Sequence, residues 1–245
     1  VKDLHDKGVY VIGRIQVFED PFLSKVRPDL SLKKSSSTVN WVDKKGIGWV
    51  RQDSIEVYDY NIKIAKDAYA KGVDEINFDY VRFPSDGNVA NLDLSHLTKS
   101  KAETIEDFFK YLNQNLRKDG VKISADVFGL TVSVSGDMGI GQEINRIAPL
   151  VDYISPMIYP SHFGSGNYGY DNPNKYPYEV ILRAVNDGVD KISVYLYKKE
   201  YPKEYAIYTT KSPSTSATST KLKASSTTLD YELTAEYKSI SIEVR

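Results

Sequence analysis

Two apolar runs of this chain end in carboxylates. The first is Glu75-Ile76-Asn77-Phe78-Asp79-Tyr80-Val81-Arg82-Phe83-Pro84, the second Lys122-Ile123-Ser124-Ala125-Asp126-Val127-Phe128-Gly129. A strand interior holds an unpaired charge only at high cost, whereas a strand end facing a cleft can hold one. Neighbouring strands lie about 4.8 Å apart. Asp79 and Asp126, at similar heights on adjacent strands, would then be roughly 5–9 Å apart, a separation at which one carboxyl group can serve as acid and the other as base or nucleophile. The competing reading is an ion pair of Asp79 with Arg82 or Arg14 in the mouth of the fold. The residues do not say which carboxylate would carry the proton.

Other strand ends add candidates for substrate contact. Arg14 and Arg82 offer forked donors to a carboxylate or hydroxyl. Asp20, in Glu19-Asp20-Pro21, follows an earlier strand that carries Arg14 and Gln16, and Tyr80 adjoins Asp79. Tyr159 and His162 close the run Val151-Asp152-Tyr153-Ile154-Ser155-Pro156-Met157-Ile158-Tyr159. Trp41 and Trp49 lie in a long loop, where a tryptophan either stacks on a flat ligand face or anchors the loop. Trp41 is read as the ligand contact and Trp49 as the anchor. There is no HExxH or clustered-histidine pattern, Asp86 to Asp93 lacks calcium-loop spacing, and cysteine is absent. These patterns imply no metal and no cofactor.

The elements that would position these residues repeat. Lys7-Gly8-Val9, Lys71-Gly72-Val73, Asp119-Gly120-Val121 and Asp187-Gly188-Val189 each read as a helix end capped by left-handed glycine, followed by a strand. Ala148-Pro149-Leu150 introduces a further strand. Ser54 is placed as the cap of a helix running to about Lys71. Ser100 with Glu103 forms a capping-box pattern, and Asp137 is placed as the cap of a helix near Ile140–Ile147. Tyr178–Val185 reads as a short helix. Alternating helices and strands imply a parallel sheet with right-handed crossovers. Long connections at 18–53, 84–99, 128–139 and 160–177 follow strand C-termini, as in a (β/α)8 barrel of the TIM type. A doubly wound sheet would carry a glycine-rich phosphate loop after its first strand, and none is present. About five barrel strands are legible, so residues 1–196 read as an incomplete barrel. Residues 197–245 read as a Ser/Thr-rich linker or tail with one strand near its end.

Composition narrows the partners. The chain has 245 residues, with 32 basic and 33 acidic side chains, which leaves no basic footprint for nucleic acid. No apolar run reaches membrane-span length. Nineteen tyrosines suit clefts that take sugars or peptides, because each offers a flat face and a hydroxyl.

Phe78-Asp79-Tyr80-Val81-Arg82-Phe83-Pro84, Ser124-Ala125-Asp126-Val127-Phe128-Gly129, Asp137-Met138-Gly139-Ile140-Gly141-Gln142 and the run from Asp152 to His162 together resemble a bacterial family of glycoside hydrolases long catalogued as a domain of unknown function. Gly13-Arg14-Ile15 and Val17-Phe18-Glu19-Asp20-Pro21 fit the same family. The resemblance covers about residues 1–185. It implies a TIM barrel, carboxylate catalysis on a carbohydrate substrate, and an extracellular or cell-envelope location in bacteria. It also implies one strand before Val1 and several after Val185, where this chain carries its Lys/Tyr- and Ser/Thr-rich segment. Two other functions stay open at this point: a non-catalytic carbohydrate-binding or envelope protein, and an inactive truncated barrel.

Overall fold

The computed structural model describes residues 1–200 together with Ser241–Ile242. Four parallel strands stand side by side in sequence order: β1 (Ile12–Gln16), β2 (Glu75–Asp79), β3 (Lys122–Phe128) and β4 (Tyr153–Met157). A short fifth strand, β5 (Ser241–Ile242), pairs parallel with Tyr153 and Ile154 of β4. Helix α1 (Ile55–Ala70) connects β1 to β2, α2 (Lys101–Leu116) connects β2 to β3, and α3 (Pro177–Glu200) follows β4. No helix among the described residues is long and apolar enough to cross a membrane.

The register sorts the side chains into two unlike faces. Ile15 stands beside Phe78, Phe78 beside Ala125, and Ala125 beside Ile154. With Ile76, Ile123 and Val127 they bury an apolar face under α1 and α2. Phe108 of α2 is the hub, meeting Phe18 and Tyr58 at 5.0 Å and Phe78 at 6.2 Å, all edge-on. The opposite face carries Arg14, Asn77, Ser124 and Tyr153 across one row. A doubly wound sheet is covered by helices on both faces and needs apolar side chains on both. A one-sided apolar face beneath helices, with strands in sequence order, is the wall of a (β/α) barrel of the TIM type. Among the described residues that wall is incomplete.

The glycine caps at Gly8, Gly72 and Gly120 take the left-handed conformation, with φ of 72°, 95° and 80°. The turn expected at Gly188 does not form. Helix α3 runs through it, because Val180, Ala184, Gly188 and Ile192 recur every four residues as one buried stripe. That stripe outweighs the roughly 1 kcal/mol that glycine costs a helix interior. The expected helix of Tyr178–Val185 is thus the start of a much longer one.

The capping box at Ser100 and Glu103 is present. Ser54 precedes α1 without a side-chain cap bond. Asp137 accepts the amides of Gly139 and Gly141 in a turn, and the helix it was expected to cap starts later, at Ile144. The first long loop folds its Lys33–Lys34 against Leu92–Asp93 of the second, zipping the two together. The Ser/Thr-rich segment expected over 197–245 lies outside the described residues, apart from the last turn of α3 and β5.

Candidate active site

The polar face of the sheet is a hydrogen-bonded ladder. Near its N-terminal end the Tyr10 hydroxyl donates to Glu75 at 3.1 Å, and the Ser124 hydroxyl donates to the other oxygen of the same carboxylate. One step up, Asn77 Nδ2 donates to Ser124 Oγ and to Asp126 Oδ1, both at 3.1 Å. The Ser124 and Asn77 bonds join β2 to β3, because parallel strands point alternate side chains to the same side. A buried polar row survives only when its members satisfy one another, and this one holds Asp126 in a fixed orientation.

At the top of the ladder, Arg14 of β1 reaches across to both predicted carboxylates. Its Nε donates to Asp79 Oδ2 at 2.9 Å, its Nη2 donates to the same oxygen, and Nε lies 3.8 Å from Asp126 Oδ2. Both oxygens therefore belong to one guanidinium, and their separation cannot exceed the sum of those two distances. The Asp79 and Asp126 side chains are buried, whereas that of Arg14 is half exposed. Asp79 Oδ1 accepts the amide of Tyr80 at 2.6 Å, and Tyr80 takes a positive φ of 54°. Left-handed backbone costs a non-glycine residue roughly 1–2 kcal/mol. Here the strain sits directly beside the candidate carboxylate.

A second polar group lies beyond β1. Glu19 is buried, accepts from Gln16 Nε2 at 2.5 Å, and is hydrogen-bonded to Asp43 and Tyr80. Asp43 accepts the amides of Lys45 at 2.8 Å and Ile47 at 2.9 Å, with the Trp49 indole nitrogen at 3.4 Å. Arg82 sits against three rings, its Cζ 4.9 Å from the Trp49 ring, 5.2 Å from Tyr80 and 4.7 Å from Phe128. Gln142 braces the top of the sheet. Its Oε1 accepts the Phe128 amide at 2.9 Å, and its Nε2 lies 3.4 Å from the carbonyls of Val81 and Asp126.

The structure thus brings together Arg14, Asp79 and Asp126, with Tyr80 and Arg82 on the same rim. Four other candidates fall elsewhere. Asp20 serves its own turn, its Oδ1 accepting the amides of Phe22 and Leu23 at 2.9 and 2.8 Å, which makes it a loop former. Trp41 is 1% exposed and donates its indole N–H to the Asn88 carbonyl at 2.9 Å. It anchors the first loop to the second and leaves no face for a sugar. Trp49 is also buried, but its ring lies against Tyr80 and Arg82. Tyr159 and His162 pair with each other at 5.1 Å on an exposed stretch after β4.

Glu19, Asp43, Asn77 and Gln142 complete the site and were not chosen from sequence. For Glu19 the signal was present in its place at the end of the first strand. Helix α3 then ties the loops down. Arg183 donates to the Tyr168 carbonyl at 2.8 Å, Asp187 accepts from the Tyr168 hydroxyl at 2.8 Å, and Lys191 donates to the carbonyls of Thr131 and Val134 at 2.8 and 2.6 Å.

Several solved structures are similar to this chain. A hypothetical protein from Ruminiclostridium thermocellum ATCC 27405 is 38% identical over 51% of this chain and 63% of its own, with a TM-score of 0.46. Aspergillus fumigatus Ega3, in complex with galactosamine, is 14% identical over 75% of this chain and 60% of its own, with a TM-score of 0.44. The glycoside hydrolase domain of PelA from Pseudomonas aeruginosa is 8% identical over 75% of this chain and 66% of its own, also with a TM-score of 0.44. The chain spans less than two thirds of the length of the first two. No curated protein matches it. The family model described as "Putative glycosyl hydrolase domain" matches residues 1–219, and the chain, with its carboxylates gathered at the strand ends, belongs to that family.

Proposed function

We propose that this chain is a glycoside hydrolase domain that cleaves a polysaccharide above the C-terminal ends of β1–β3, with Asp79 and Asp126 facing the reacting sugar. The observation that carries this reading is the single guanidinium of Arg14 reaching both carboxylates. It keeps one oxygen of each carboxylate close to the same point, as a pair acting on one glycosidic bond requires. Bond cleavage develops positive charge at the anomeric carbon and ring oxygen, and buried carboxylates fixed before the reaction stabilise that charge. The family match supports the same reaction class. A polymer substrate of this kind fits an extracellular or envelope-attached setting.

A screen of polysaccharides and aryl glycosides, run on the wild-type chain and on Asp79→Asn and Asp126→Asn, tests the proposal. Turnover by the wild type and a loss of about 10²-fold or more in each variant is expected, with the variants still melting cooperatively. Sugar binding with no turnover would overturn it in favour of a carbohydrate-binding domain.

A further inference from the structure

Donors converge on both Asp79 and Asp126. Asp79 accepts from Arg14 on one oxygen and from the Tyr80 amide on the other, and Asp126 accepts from Asn77. Each of these contacts brings a hydrogen to a carboxylate oxygen, as an ionised carboxylate prefers. Cleavage of a glycosidic bond also needs an acid to protonate the leaving oxygen.

Glu19 is built differently. Besides Gln16 and Tyr80, its hydrogen-bonding partners include another carboxyl group, that of Asp43. Two carboxyl groups bond to each other only with a proton between them. Asp43 already receives two backbone amides and faces the Trp49 indole N–H, so the shared proton belongs to Glu19. Glu19 is 5% exposed, comparable to Asp79 and Asp126. It joins their rim through Gln16, which stands beside Asp79 in the sheet, and through Tyr80, the residue after Asp79.

We propose that Glu19 is the catalytic acid of this cleft and that Asp43 is a positioning residue that holds its proton. The proposal rests on the hydrolase reading above. As the bond between the anomeric carbon and the leaving oxygen breaks, its electron pair goes to that oxygen, which takes the Glu19 proton. The departing alcohol is neutral and Glu19 becomes a carboxylate. Water then adds to the anomeric carbon and returns one proton to Glu19, while Asp79 and Asp126 stabilise the charge at that carbon.

The electrostatics agree. Burial first, and then the bond to Asp43, push the Glu19 carboxyl up to about 7, with the Asp43 charge raising it further and Lys45 and Arg82 opposing. Burial works to raise Asp43 as well, but the Ile47 amide, the Trp49 indole and the Lys45 amide overcome it and hold Asp43 below its ordinary value. An acid that loses its proton near neutral pH is well placed for general catalysis.

Glu19→Gln and Asp43→Asn test the assignment. Glutamine keeps a hydrogen-bond donor toward Asp43 and cannot give up a proton. Carbon-13 NMR of side-chain-labelled glutamate should show one protonated carboxyl group at pH 5.5 that is lost in Glu19→Gln. In Asp43→Asn that group should titrate at lower pH. With aryl glycosides as probes, Glu19→Gln should lose about 10²-fold or more on a poor leaving group and little on dinitrophenyl glycosides, which leave without a proton. A purely structural role would lower both rates alike. An ionised Glu19 at pH 5.5, or equal losses on both leaving groups, overturns this assignment alone. A wild-type chain that turns over no aryl glycoside or polysaccharide overturns the hydrolase reading, and the acid role with it.

Discussion

Arg14 is the residue on which the geometry turns, because its guanidinium reaches both Asp79 and Asp126. Arg14→Lys keeps the charge but loses the fork, and a lysine ammonium cannot place two nitrogens on Asp79. We expect kcat to fall by about 10- to 100-fold, the equivalent of one charged hydrogen bond, with Tm nearly unchanged. Steady-state kinetics beside a thermal melt check both. Asp20→Ala makes the opposite prediction. It removes the acceptor for two loop amides, so stability should drop by about 1 kcal/mol, as for other side-chain caps, while kcat stays at the wild-type value. At this scale Asp79, Asp126 and Arg14 were legible because a charge at the end of an apolar strand has few places to go. Choosing between Glu19 and Asp20 was not possible from sequence. Which of two adjacent carboxylates turns inward depends on how the chain bends after β1, and that bend is set by the distant pairing of Val50 with Phe18. The anchoring of Trp41 was hidden for the same reason: it is held by Asn88, 47 residues away.

Among the elements, the crossing of β3 and β4 is the tightest. A Cβ placed on Gly129 would lie 2.4 Å from the Met157 carbonyl oxygen and 2.8 Å from the Ile158 Cα. Both are backbone atoms that cannot swing aside. Gly129→Ala should therefore cost at least the roughly 1–3 kcal/mol typical of overpacking and disturb the Gln142 brace on Phe128. A urea titration reads the loss. Ser100→Ala removes the capping box on α2 and should cost about 1 kcal/mol, with the site untouched. Three of the four glycine turns were legible because a helix followed by a left-handed glycine and an apolar run has one simple outcome. Gly188 misled because a helix-ending signal and a small residue in a buried stripe are written with the same letter. The stripe becomes visible only over four turns of helix.

For the molecule as a whole, the Glu19–Asp43 pair sets a pH dependence. Glu19 is raised from its ordinary 4.5 to about 7. A carboxyl group that binds its proton more tightly when folded stabilises the fold fully below its ordinary value and loses that contribution as pH rises through its folded one. Asp43, held low, acts in the other sense: its contribution is present above its ordinary value and is lost as pH falls through the folded one. Wild type should thus lose Tm relative to Glu19→Gln between pH 5 and pH 8, and paired melts across that interval decide the sign. The barrel wall itself was legible, since period-two strands and long loops after their C-termini recur along the chain. The pairing of Ser241–Ile242 with β4 was not, because two residues carry too little pattern to name a partner across more than eighty positions.

Helix α3 has a consequence of its own. Arg183, Asp187 and Lys191 recur every four residues, so the loops after β3 and β4 are clipped to a single angular phase of one rod. One residue added between Asp187 and Lys191 would turn everything beyond it by about 100°. The helix could then keep Tyr168 or keep Thr131 and Val134, but not both. The relative placement of two loops on the rim is in this sense counted in residues along α3, and an inserted alanine far from the carboxylates would be felt as a change in the shape of the cleft.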